Sequence, residues 1–138
     1  MIPRTDESQW PFVVTVWPLA QTDAELDRFL ARIDLIFARR TPWVHLIDAR
    51  DATMASATPR MRAAAVAFME RLPAERAALL RGECFVISSA PVRGILTALT
   101  WMFRPAWPRN VVGTMEEGER WARERLKPSS RADQRRAM

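Results

Sequence analysis

The chain has few of the residues that most often carry covalent chemistry or hold metals. Its 138 residues include one cysteine (Cys84), one histidine (His45), one lysine (Lys127), four glycines and no tyrosine. A single cysteine excludes a disulfide framework. A lone histidine, with Cys84 on a different predicted strand, cannot assemble a zinc-type ligand set, so no metal and no cofactor are expected. The glycines form no phosphate-cradling loop, and none flanks a serine in a nucleophile elbow. No apolar run approaches the roughly 20 residues needed to cross a bilayer, because Arg, Asp or Pro interrupts each one. The opening MIPRTDESQW has no apolar stretch after a basic start, so it does not read as a secretory leader and a cytoplasmic address is expected.

What is present suits one globular domain. Hydrophobic residues make up 49% of the chain, and the length can bury a stable core without disulfides. The net charge of +5 is almost entirely arginine, and it is unevenly placed. Lys127 to Met138 carries a net +3, Met1 to Gln9 a net −1, and the charges between are interspersed. A nucleic-acid binder would gather its cations on one face or helix, so no nucleic-acid partner is expected.

Four short runs read as strands: Phe12 to Trp17, Trp43 to Ile47, Glu83 to Ile87 and Asn110 to Gly113. The first three are near-continuous apolar stretches, the pattern of strands covered on both faces. Helical patterns lie between them. Thr22-Asp-Ala-Glu25 is a capping box, followed by Leu26, Phe29, Leu30, Ile33, Ile36 and Phe37 on one face. A second helix opens at Thr58-Pro59 with a stripe of Met61, Ala65, Phe68 and Leu72, and a short turn follows from Ala74 to Arg81. A third long helix runs from Pro91 to about Phe103, with Val92, Ile95, Leu96, Leu99, Met102 and Phe103 as its expected buried face. A last helix starts at Thr114-Met-Glu-Glu117 and turns Trp121 and Leu126 inward. Alternating strands and helices imply an α/β domain with a four- or five-stranded, mostly parallel sheet and four to five helices. Residues 1–9 read as an N-terminal extension, 10–126 as the domain, and 127–138 as a basic, unstructured tail.

Several of these stretches resemble one family. Pro11-Phe-Val-Val, Val44-His-Leu-Ile-Asp-Ala-Arg50, Ser56-Ala-Thr-Pro59, Phe85-Val-Ile-Ser-Ser89 and Arg93 to Trp101 resemble, in order and spacing, small bacterial STAS-like domains, the fold of anti-sigma-factor antagonists. The likeness runs from about Trp10 to Leu126 and extends to the final helix around Glu116-Glu-Gly-Glu-Arg-Trp121. It implies a non-enzymatic regulatory domain that binds a partner protein, sometimes under phosphorylation control. In that family the phosphorylated residue follows a central strand at the start of the next helix. The matching candidates are Ser56 and Thr58, although Met-Ala-Ser-Ala-Thr-Pro stands where the family has Asp-Ser-Ser-Gly.

Other polar residues have plainer accounts beside the functional ones. Thr58 is also what a helix would use as its N-cap. Ser88, Ser89 and Arg93 could cradle an anion at a strand-to-helix turn, or could simply cap that helix. Asp48, Arg50 and Asp51 follow a strand's C-terminal end, where open α/β sheets place polar sites, and equally suit a surface ion pair. Cys84 reads as an inert core thiol. Trp101, Phe103, Arg104 and Trp107 are candidate partner-binding residues, because large aromatics outside a core stripe supply interface energy. The expected function is a non-catalytic interaction domain binding a protein partner or a second copy of itself. The alternative is a small apolar, lipid-like ligand in a pocket between the sheet and the third long helix.

Overall fold

The structure, a computed structural model, describes residues 3–18, 20–51 and 58–127. Chain order gives β1 (Arg4–Gln9), β2 (Phe12–Val16), α1 (Asp23–Phe37), β3 (Trp43–Asp48), α2 (Pro59–Arg71), α3 (Ala74–Ala77), β4 (Leu80–Val86), α4 (Ala90–Met102), β5 (Arg109–Val112) and α5 (Met115–Leu126). The strands form one sheet in the order β1-β2-β3-β4-β5. Only the β1–β2 pair is antiparallel. The α/β domain with its mostly parallel sheet is therefore as the alternating pattern implies.

The polar caps form where the sequence places them. At α1 the box is complete: Glu25 N donates to Thr22 Oγ1 at 3.2 Å, and Thr22 N donates to Glu25 Oε1 at 3.0 Å. Thr58, Ser89 and Thr114 each accept a first-turn amide of α2, α4 and α5. β3, in the middle of the sheet, is buried at all six positions, in keeping with its near-continuous apolar run.

Strand order also assigns the helices to faces. A crossover between neighbouring parallel strands is right-handed in nearly all proteins. When each new strand is added on the same side, every crossover helix falls on the same face. Here α1, α2 and α4 all contribute to one face, over Val13, Trp43, Ile47 and Phe85. α5 follows the last strand and packs alone on the other, over Val44, Leu46, Cys84 and Val86.

Two expectations change. The extension over residues 1–9 carries β1, a six-residue polar edge strand. Glu7 ties it to Arg32 of α1 and to Arg39 in the turn just after that helix through ion pairs. The buried stripe expected on α4 does not form: no residue of that helix is buried, and Met102 and Phe103 are 71% and 66% exposed. α4 packs mainly along the edge strand β5, and the side chains at its C-terminal end, Trp101 and Met102, are left exposed. The segment 128–138, read as a tail, lies outside the described residues.

Candidate functional site

On the α5 face the core is continuous and tight. Gly118 of α5 approaches so closely that a Cβ there would sit 2.7 Å from Leu46 Cδ1 and 3.0 Å from Val86 Cγ2. On the opposite face the core divides. One cluster joins α1, Phe68 of α2, Trp43 and Trp107. A smaller one, Ile47, Ala49 and Ile87, lies beneath Val92 and Leu96 of α4. Members of both border a cavity of about 300 Å³ between the sheet and α1, α2 and α4. Its walls are almost wholly apolar, including Phe29, Ile33, Met61, Phe68, Leu96 and Leu99.

The cavity floor is not apolar throughout. Glu83 of β4 and Arg109 of β5 stand side by side in register and form an ion pair, with Arg109 Nε donating to Glu83 Oε1 at 2.6 Å. Their side chains are only 10% and 15% exposed, and Arg109 also lies over the Phe85 ring. On the other side of Glu83, in register on β3, is His45. It is hydrogen-bonded to Thr15 at 2.7 Å, and Thr15 is bonded in turn to Thr5 at 3.2 Å. A polar band thus crosses all five strands. Burial pushes His45 down to about 4, against a smaller upward pull from Glu83, so the imidazole is neutral at physiological pH. Trp43 and Trp107, which also border the cavity, each bury an indole N–H that has no acceptor among the described residues.

The residues singled out from sequence are dispersed. Asp48, Arg50 and Asp51 come together in a polar hollow of about 290 Å³ with Ser88, at the C-terminal ends of β3 and β4. There Asp48 is gripped in a fork by Arg50, Nε to Oδ1 at 2.9 Å and Nη2 to Oδ2 at 3.0 Å, so the pair is satisfied within itself. Arg93 does not face an open anion site, because its Nη1 donates to the carbonyls of Ile87 and Ser88 at 2.8 Å each. Thr58 caps α2 by accepting from Met61 N, while Ser56 lies outside the described residues.

The aromatic candidates separate. Trp101 is 70% exposed at the end of α4, beside exposed Met102 and Phe103, with the Arg104 guanidinium 5.5 Å from its ring centre. Trp107 is buried instead and packs against Phe37 of α1, so it takes no part in that exposed surface. Cys84 faces the tight side of the sheet, where burial raises its thiol to about 12. A protonated thiol of this kind is a poor nucleophile.

The Glu83–Arg109 pair and the Thr5–Thr15–His45 chain did not stand out in the sequence. One signal was available: Glu83 is a carboxylate inside a run that otherwise reads as a fully covered strand. A buried charge must be paired, so it foretold a partner, although pairing with Arg109 depends on the β4–β5 register. Among the described residues no group of three or more His, Cys, Asp and Glu side chains could hold a metal ion, and no helix is long and apolar enough to cross a membrane. Comparison of the chain with protein-family models, with curated proteins and with solved structures finds no match.

Proposed function

We propose that the protein binds one small apolar or amphiphilic molecule in the cavity between the sheet and α1, α2 and α4, without acting on it chemically. The cavity itself carries this reading. Protein interiors are normally close-packed, and voids larger than a water are few. Here about 300 Å³ lies open under the most apolar long helix of the chain, which buries none of its own residues. That volume is at the lower end of the range in which small-molecule sites fall. A bound ligand would supply the contacts that Val92, Leu96 and Leu99 lack. Native mass spectrometry of gently purified protein should reveal a bound small molecule or saturable uptake of added aliphatic probes. Leu96→Trp, which fills the space, should abolish either signal while the protein stays folded. Absence of both signals in the parent protein would remove the proposal.

A second reading rests on a different observation. Trp101, Met102 and Phe103 form a run of exposed large apolar side chains, which suits the STAS-like, partner-binding role that the sequence resemblance implies. In this reading Trp101, Phe103 and Arg104 meet a protein partner or a second copy of the chain. The double substitution Trp101→Ser with Phe103→Ser should then lower the molar mass measured by light scattering or break capture of a defined partner. Unchanged mass and unchanged capture would rule it out.

A further inference from the structure

Resting on the cavity-binding reading, we infer that the cavity selects a neutral amphiphile, one whose polar end both donates and accepts a hydrogen bond and meets the Glu83–Arg109 pair on the floor. The fold gives no reason for an ion pair at this position. The neighbouring positions on the same face of the sheet, Ile47, Phe85 and Val111, are apolar, and well-packed apolar side chains in place of a buried ion pair are commonly as stable or more so. The pair therefore has the character of a recognition element. Its one bond engages Arg109 Nε and Glu83 Oε1. The other guanidinium N–H groups and the second carboxylate oxygen have no partner among the described residues. A hydroxyl or a primary amide can donate to one and accept from the other.

Charge balance decides against an anion. Arg109 is neutralised by Glu83, and His45 beside them is neutral. A carboxylate head placed at this floor would be buried next to Glu83 with no uncompensated cation to meet it, which is costly. The one other charged side chain among the described residues that line the cavity is Arg62 of α2, which is exposed and has no ion pair there. It offers the rival arrangement, an anionic head at Arg62 with the tail inside. Size sets the probes. At roughly 30 Å³ per non-hydrogen atom, the share of one water in the liquid, the space holds about ten such atoms.

The experiment titrates the full chain at neutral pH with 1-nonanol, nonanoate and decane, following tryptophan emission. 1-Nonanol should bind at least about tenfold more tightly than nonanoate. Glu83→Gln removes the anion and leaves Arg109 as an unpaired, partly buried cation. In that variant the preference should shift toward nonanoate by about tenfold or more. A purely apolar cavity would keep the same order in both proteins. A second measurement uses the parent protein alone: the Arg109 Nε–H resonance should move on saturation with 1-nonanol and stay in place with decane. A parent protein that prefers nonanoate and loses that preference in Arg62→Gln overturns the inference in favour of the rival anchor. An unshifted Arg109 resonance, or a folded Glu83→Gln with unchanged selectivity, overturns it while the cavity reading stands. If none of the probes binds, the cavity reading falls, and this inference falls with it.

Discussion

The two faces of the sheet are built from the same strands and yet differ in kind. On one, a single helix with a glycine at its contact point lies close against Leu46 and Val86. On the other, three long helices share the surface and leave a cavity with His45 and the Glu83–Arg109 pair on its floor. The difference teaches that helix number does not measure packing. One well-placed helix makes the tightly packed half of the molecule, and the crowded half keeps open room and polar groups.

Paired truncations should break this comparison most visibly. Leu46→Ala on the tight face opens a hole in a close-packed layer and should cost about 2–5 kcal/mol in urea unfolding. Leu96→Ala borders space that already exists, so it loses contacts alone and should cost about 1 kcal/mol or less. Equal losses would mean that the cavity closes in solution.

Acid should weaken the cavity face next. His45 has a folded-state pKa near 4, below its ordinary 6.5. Between those values the unfolded chain takes up a proton that the folded chain refuses. Its contribution is complete above about pH 6.5 and is lost as pH falls toward 4, up to about 3 kcal/mol. Urea midpoints at pH 7, 5.5 and 4.5 should fall accordingly, and His45→Gln should flatten that slope. A slope that is unchanged in the variant would assign the acid sensitivity elsewhere.

The finest comparison makes one substitution on two helices. In α4 nothing lies within 4 Å of a Cβ added at Gly94, so Gly94→Ala should gain roughly 1 kcal/mol from helix propensity. In α5, Gly118→Ala gains the same propensity but drives a methyl into Leu46 and Val86, and should lose about 1–2 kcal/mol net. Thermal unfolding of the two variants would show opposite signs. Matching signs would indicate that the α5 contact has more give than its distances imply.

Much of the frame was legible from periodicity and caps, because local chemistry carries those signals. α1 is the clearest case: its stripe and its capping box are both written in adjacent residues, and Leu26, Phe29, Ile33, Ile36 and Phe37 are all buried. β1 was not legible, since Arg-Thr-Asp-Glu-Ser-Gln has no apolar alternation and pairs through backbone groups offered by β2. α4 misled for the opposite reason. An apolar stripe states a preference for burial, whereas the surface available to it depends on strand order and on where the sheet ends. The cavity itself has no local signature, and the polar residues Glu83 and His45 within apolar runs do not reveal which neighbours they meet.

The sequential strand order has a geometric consequence. Neighbouring strands lie about 4.8 Å apart, whereas packed helices need axes 8–10 Å apart. Three successive crossovers on one face therefore ask for roughly twice the width that their strands provide. Folds that alternate faces avoid this competition by giving each helix a second strand spacing. Helices that compete in this way are expected to fan outward or ride higher than a helix alone above its strand pair. A hollow beneath three such helices is what a mismatch of pitch predicts, inherited from topology before any side chain is chosen. The side chains at its floor then determine what can occupy it.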